Sequence, residues 1–285
     1  MKKKTIFFRK LRNRISAIFS GFAVLLAVGA MVWILYTVFR YGMEAMSWSF
    51  FVNPSKPYGV PDGGIANAIL GTIIITFGAA VIAVPPALLA GIYLSEFKEQ
   101  KKISAVLRFS ANVMMGMPSV IVGLFVYLII VVPRGGFSGF AASIALAIIM
   151  FPVIMRTTED MLGMVPYALR ESALALGMTR MRTTLHIVCL SAKKGLLTGI
   201  LLSLSRVSGE TAPLLFTAMF SDSWPRDYFT GPTANLPILI TEYATNSPFE
   251  AMHRAGWGAA LTVTAMVLFI NIGTRIIFRE KKHGS

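Results

Sequence analysis

The stretch Ala66-Asn67-Ala68-Ile69-Leu70-Gly71-Thr72-Ile73-Ile74-Ile75-Thr76-Phe77-Gly78-Ala79-Ala80-Val81-Ile82-Ala83-Val84-Pro85-Pro86-Ala87-Leu88-Leu89-Ala90-Gly91-Ile92-Tyr93-Leu94 holds no Asp, Glu, Lys or Arg. A helix needs about 20 apolar residues to cross the hydrocarbon core of a bilayer, so this run reads as a membrane span. Five further candidates flank it, near Ile15–Phe39, Ala105–Val132, Gly139–Met155, Gly195–Phe220 and Gly256–Ile277. The expectation is an all-α, polytopic membrane protein with six transmembrane helices. Length alone, 285 residues, would suggest two soluble domains. The 55% hydrophobic content and mean hydropathy of +0.67 exclude that reading.

Two runs are irregular. Pro85 and Pro86 should bend the second helix, because neither ring nitrogen can donate an intrahelical hydrogen bond. The third begins with polar Arg108, Ser110 and Asn112 and carries Gly116-Met117-Pro118-Ser119 inside it. It reads either as two half-helices or as a short surface helix followed by a span.

The formal charge of +14 would suggest nucleic acid in a soluble chain, but here the basic residues fall between apolar runs. Seven Lys+Arg lie in the N-terminal tail, four between the second and third runs, six between the fourth and fifth, and four at the C-terminal end. The opposite side holds five (Arg40, Lys56, Arg134, Arg226, Arg254), and Arg206 sits alone within an apolar run. The positive-inside rule then puts both termini in the cytoplasm, and no nucleic-acid partner is expected. The first run follows a basic stretch like a signal peptide, yet continues through Met31-Val32-Trp33-Ile34-Leu35. It reads as an uncleaved anchor. The outer segments, about 40–65 and 221–255, are rich in Pro, Gly, Asn and aromatic residues and read as ordered loops. They serve either as plain connections or as a docking surface for an external protein.

Several chemistries lack their signatures. Cys189 is the single cysteine, and His186, His253 and His283 do not make a metal-ligand spacing, so neither an internal disulfide nor a zinc site is expected. The chain has no Gly-Lys dipeptide, hence no P-loop, and no G-x-S-x-G, H-E-x-x-H, C-x-x-C or G-x-G-x-x-G. No catalytic residue, metal or cofactor is assigned.

Charge inside the fifth run stands out. In Leu201-Leu202-Ser203-Leu204-Ser205-Arg206-Val207-Ser208-Gly209-Glu210-Thr211-Ala212-Pro213-Leu214-Leu215, a continuous helix would set Arg206 and Glu210 on one face. Ionisable groups within a span cost roughly 2.5–3.5 kcal/mol each even on lenient scales, so they face a bundle interior or a water-filled path. One reading is a neutralising ion pair that fixes packing. The other is an anion path, in which Arg206 offers a fork of donors and Glu210 moderates its field. Arg156, at the expected cytoplasmic end of the fourth run, either snorkels to the interface or joins that path. Ser203, Ser205 and Ser208 either pack helices together or present hydroxyls to an oxyanion.

Between the fourth and fifth runs lies Pro166-Tyr167-Ala168-Leu169-Arg170-Glu171-Ser172-Ala173-Leu174-Ala175-Leu176-Gly177-Met178-Thr179-Arg180-Met181-Arg182-Thr183-Thr184-Leu185-His186-Ile187. Pro166 suits a helix start and Gly177 a stop, so a short helix, a turn and a second helix are expected. Generic physics makes the short helix a membrane-surface element or a docking knob.

Glu171-Ser172-Ala173, followed by Gly177 and Ile187, resembles the EAA loop of ATP-binding-cassette importer permeases, with Cys189-Leu190 where that family has Leu-Pro. Arg206-x-x-Gly209-Glu210-Thr211-Ala212-Pro213-Leu214, with Leu236-Pro237-Ile238 and Asn271 further on, resembles the PstA family of phosphate permeases. The similarity runs over about residues 15–278, including the Met117-Pro118-Ser119 break. It implies a type I ABC importer permease fold with a cytoplasmic coupling helix: a basic tail at 1–14, a permease domain at 15–278 with its EAA-type loop at about 165–190, and a C-terminal tail at 279–285. The implied partners are a second, PstC-like permease, two copies of a PstB-like ATPase, a PstS-like phosphate-binding protein and the lipid bilayer. The implied substrate pathway is Arg206, Glu210, Arg156, Ser203 and Thr211, and ATPase coupling falls to Glu171, Ser172, Ala173 and Gly177. Left open are a permease for sulfate, molybdate or another solute, an ion-coupled carrier and a phosphate-sensing membrane protein.

Overall fold

A computed structural model of the chain describes residues 2–57, 60, 63–97 and 101–277. The expected tail at 279–285 lies outside the described residues. Among the described residues all regular structure is helical. The helices are α1 (Lys2–Met43), α2 (Trp48–Val52), α3 (Ala66–Glu96), α4 (Lys101–Gly116), α5 (Ser119–Arg134), α6 (Gly139–Gly163), α7 (Tyr167–Ala175), α8 (Arg180–Val207), α9 (Ala212–Thr217), α10 (Leu236–Thr245) and α11 (Glu250–Ile277). Five helices are long and apolar enough to cross a membrane, and six spans result when α4 and α5 count as one broken span. The bend between those two is 102° at Met117-Pro118. Pro118 cannot continue the α4 hydrogen-bond ladder and pre-sets the start of α5. Pro85 and Pro86, by contrast, lie inside one helix, α3, which runs through them without a break.

The core is the packing of α3 on α6. Ile75, Ala79, Ala83, Ala87 and Gly91 recur every four residues on one buried face of α3, opposite Ala142, Leu146, Met150, Ile154 and Met155 of α6. Lipid supplies no hydrophobic drive between helices, so small residues that let backbones approach are what hold a bundle together. A methyl group on Gly91 would lie 2.5 Å from Thr158 Cβ, which shows how close that approach is.

The periphery is built differently. α1 is almost wholly exposed and leans only its outer end on α11, where Tyr41 and Trp257 have ring centroids 5.4 Å apart. The exposed apolar side chains along it, such as Phe19, Leu25 and Trp33, suit contact with acyl chains. The outer segment 221–255 is not only loop: it contains α10, started by the Asn235 side chain accepting from Ile238 N at 3.0 Å. Leu236 N donates to Thr72 Oγ1 at 2.9 Å, and Tyr228 Oη donates to Ser143 Oγ, which donates on to the Ile75 carbonyl. These bonds seat the segment across the outer ends of α3 and α6.

The fifth run departs most from expectation. Gly195–Phe220 is not one helix: α8 ends at Val207 and α9 starts at Ala212. Pro213 has no N–H, and its ring would collide with the Gly209 carbonyl in a continuous helix.

Candidate functional site

Two places gather charge. The first is the connection between α6 and α8, where α7 forms as its composition dictates. It ends in a Schellman motif: Met178 N donates to the Ala173 carbonyl at 3.1 Å, Gly177 N to the Leu174 carbonyl at 2.9 Å, and Gly177 has φ +80°. Gly177 is therefore the stop the sequence suggested, because that backbone conformation is costly for any residue with a Cβ. Ala173 is buried, whereas Glu171, Ser172 and Leu174 face outward with Tyr167, and Leu176 is 85% exposed.

What fixes α7 to the bundle is a residue that sequence reasoning passed over. Arg170 makes a two-pronged pair with Glu96 at the end of α3, Nε to Oε2 at 3.0 Å and Nη2 to Oε1 at 2.6 Å. It also donates to the Val165 carbonyl at 2.6 Å and the Leu162 carbonyl at 2.9 Å, both beside the end of α6. The side chains are only 15% and 7% exposed. Glu96 raises the Arg170 pKa above its ordinary value, chiefly through the hydrogen bond and against desolvation. Arg180, in the first turn of α8, donates to the Glu96 carbonyl at 2.8 Å and stacks over Phe97 at 5.2 Å. One knot thus joins α3, α6, α7 and α8. A cleft of about 710 Å³ opens beside it, bordered by Tyr167, Leu174 and Arg180. The signal available in sequence was an acid closing a span and an arginine next to Glu171, 74 positions apart.

The second place is the turn between α8 and α9. Arg206 is exposed in the last turn of α8, and Glu210 lies half-buried in the non-helical link with Thr211. Among the described residues no ion pair or side-chain hydrogen bond joins Arg206 to Glu210, so the shared helical face expected for them does not exist. Arg206 lies about 18 Å along the helix axis from Lys194, more than half of a ~30 Å hydrocarbon core. Ser205 Oγ donates to the Leu202 carbonyl at 2.9 Å and lies 3.3 Å from Asn271 Oδ1, while Ser208 Oγ donates to the Ser205 carbonyl at 2.8 Å. These two serines tie α8 to itself and to α11. Ser203 is 1% exposed, and its hydroxyl has no partner among the described residues. The turn is held from the other side by α5: a methyl group on Gly123 would lie 2.6 Å from Pro213 Cα. Two interrupted helices, α4–α5 and α8–α9, therefore meet here. Non-helical backbone at membrane depth is tolerated where it is buried in protein or lines a cavity, and transporters place binding sites at such breaks.

Arg156 stands apart from that turn. Its guanidinium lies 3.0 Å from Glu159 and 3.7 Å from Asp160 on α6, and Glu159 also takes Arg108 of α4 at 2.7 Å. Helix α6 continues past Met155 to Gly163, so Arg156 sits within the helix rather than at its end.

Helices long and apolar enough to cross a membrane, an exposed helix between two of them and a broken pair of spans are the architecture of a membrane-embedded protein. The chain belongs to the family described as binding-protein-dependent transport system inner membrane component, whose model matches residues 87–280. It is 40% identical over 282 residues to the phosphate transport system permease protein PstA of Yersinia pestis, covering 99% of this chain and 95% of that one. The protein of the same name from Pasteurella multocida is 41% identical over 273 residues, 96% of each chain. That from Haemophilus influenzae is 39% identical over 278 residues, 97% of each. Among solved structures, an inward-facing form of the MetNI methionine ABC transporter matches with a TM-score of 0.61 at 20% identity, covering 75% of this chain and 94% of that one. That likeness shows the fold, an ATP-binding-cassette importer permease.

Proposed function

We infer that this chain is the PstA-type permease subunit of an ATP-driven importer carrying inorganic phosphate across the cytoplasmic membrane. The observation that carries the inference is the identity of about two residues in five, over nearly the whole chain, to proteins named as phosphate permeases. In this reading both termini are cytoplasmic, as the basic-residue asymmetry requires. The permease pairs with a PstC-like chain, rests on two PstB-like ATPases and receives phosphate from a PstS-like binding protein at the outer segments.

The chain performs no covalent chemistry. ATP binding closes the ATPase pair, which moves α7 through exposed Glu171 and Ser172, with Ala173 buried beneath them and Gly177 closing the helix, and the spans open outward to accept phosphate. Energy enters as the different affinity of nucleotide for the two conformations. Arg206 lowers the barrier for a doubly charged oxyanion, its planar fork matching phosphate oxygens; Glu210 and Thr211 lie in the adjoining turn, and Ser203 sits buried in α8 three residues before Arg206. Arg156 takes the cytoplasmic end of the path, where Glu159 tempers its charge. The Arg206 turn supports this reading, because an anion path needs a cation that no carboxylate has already neutralised.

The test is radiolabelled phosphate uptake under phosphate limitation in cells lacking the gene, with and without the wild-type copy, in the presence of excess sulfate or molybdate. Restoration by the wild type, indifferent to both competitors, is expected. An undiminished uptake in the deletion, or inhibition by sulfate or molybdate, would assign the machine to another cargo. Vanadate-insensitive, gradient-driven uptake would assign it to an ion-coupled carrier.

A further inference from the structure

The proposed function assigns the ATPase contact to the outward residues of α7 and leaves open how a push there reaches the spans. Helix α7 is short, and Ala173 is its single buried residue. So small an apolar contact cannot by itself make the helix move as one body with the bundle. Arg170 supplies the missing stiffness. Its Nε, Nη1 and Nη2 all donate, to two oxygens of the Glu96 carboxylate and to two backbone carbonyls. Glu96 Oε1 also accepts from Ser95 Oγ at 3.0 Å, and the Glu96 carbonyl accepts from Arg180. Two of its prongs end on Glu96 at the end of α3 and two on the Leu162 and Val165 carbonyls at the end of α6, while α8 joins through Arg180, which holds the Glu96 carbonyl. A planar guanidinium held at this many points has little rotational freedom left, unlike an ammonium on a flexible stem.

We propose that Arg170 and Glu96 are positioning residues of the transport cycle, a pinned joint that makes α7 move rigidly with the inner ends of α3 and α6 and so sets how much phosphate crosses per ATP hydrolysed. The inference rests on the ATP-driven reading above. It differs from the ATPase-docking role of Glu171–Gly177 because Arg170 faces the bundle, away from the outward side of α7. The face of α3 that carries Ala79, Ala83, Ala87 and Gly91 against α6 runs on to Leu94, two residues before Glu96, so a displacement of the joint is passed along α3 into the core at its closest packing.

The test uses the whole complex, this chain with its paired permease and both ATPases, reconstituted in vesicles with the phosphate-loaded binding protein. Uptake and ATP hydrolysis are measured on the same sample. For Arg170→Gln the ATPases remain bound, hydrolysis continues, and phosphate imported per ATP falls about tenfold. Arg170→Lys keeps the charge without the fork and recovers only part of that ratio. A purely structural role would lower uptake and hydrolysis together and leave the ratio unchanged, which overturns the proposal. A second variant works within one assembled sample: Glu96→Cys with Arg170→Cys in a Cys189→Ala background, bridged by a bis-methanethiosulfonate linker. Bridging should raise phosphate per ATP by about fivefold and reductant should reverse it. No change on bridging, or loss of ATPase binding in both variants, assigns the pair to assembly and overturns the joint. A wild-type complex that hydrolyses ATP without importing phosphate would instead sink the functional reading, so the two failures are distinguishable.

Discussion

Arg170 and Arg206 carry the same side chain into opposite surroundings. Arg170 is nearly buried where α3 and α6 end, with Glu96 and two carbonyls taking its donors. Arg206 is exposed beside an interrupted helix, and Glu210, four residues on, has been carried off its helical face by the turn. A charge whose donors are all used holds structure together, whereas a charge with free donors in a low-dielectric setting is available to a ligand. In the functional reading proposed above the two sites would divide the labour, one transmitting force and the other meeting substrate.

The sharpest way to break this comparison is to neutralise each partner and compare stability. Glu96→Gln leaves a buried guanidinium without its counter-charge, which costs about 3–5 kcal/mol. Arg206→Gln removes a charge that has no ion pair among the described residues and should shift stability by no more than about 0.5 kcal/mol. Thermal unfolding of the detergent-solubilised chain checks both, and equal losses would make Arg206 a structural residue like Arg170. Next in size, Gly123→Leu forces atoms against Pro213 and should cost about 1–3 kcal/mol while lowering uptake. The same substitution at Gly163, which has open space around it, would alter neither uptake nor the melting profile if the α5 contact is what matters. Smaller still, Gly177→Ala strains the left-handed stop of α7 by about 1–2 kcal/mol. Gly177→Pro, which cannot adopt that φ and loses the N–H to Leu174, should abolish uptake and transport-dependent hydrolysis together.

The least effect is expected on the outer side. Burial raises the Asp222 pKa above the usual carboxylate value, opposed by a hydrogen bond from Ser55 and reinforced by Glu242. A raised carboxyl binds its proton more tightly in the folded state, so its contribution is most favourable below the ordinary value and is lost as pH climbs through the raised one. Asp222→Asn should slightly stabilise the protein near neutral pH and flatten that part of the pH profile. Unfolding midpoints at several pH values read this directly, and an unchanged slope would show that Asp222 titrates normally.

Much of the fold was legible because the bilayer imposes its own period and length on a sequence. The uncharged run at 66–94 and the glycine stop at 177 depend on local chemistry and needed no tertiary context. Part of what escaped is what only packing decides. The break after Val207, by contrast, was within reach of local chemistry, because Pro213 would set its ring against the Gly209 carbonyl in a continuous helix; packing adds Gly123 against Pro213, and the Arg206–Glu210 spacing loses its meaning. Helix α10 hid in a stretch rich in loop formers, although Asn235 followed by Leu236-Pro237 is a helix start with a stated mechanism. Arg170 gives no local signal because its partner is 74 residues away, and Arg156, where the apolar run ends, lies inside α6 because the helix outlasts that run to Gly163.

The central proposal is that Arg206, which has no ion pair among the described residues, serves phosphate. The direct measurement is phosphate uptake by the assembled complex carrying Arg206→Gln or Arg206→Lys, with assembly checked on the same preparation. Arg206→Gln should lose most uptake, about tenfold or more, and Arg206→Lys should retain a part, because the charge survives and the fork does not. Full uptake by an assembled Arg206→Gln complex would contradict the account and leave that side chain only a packing role.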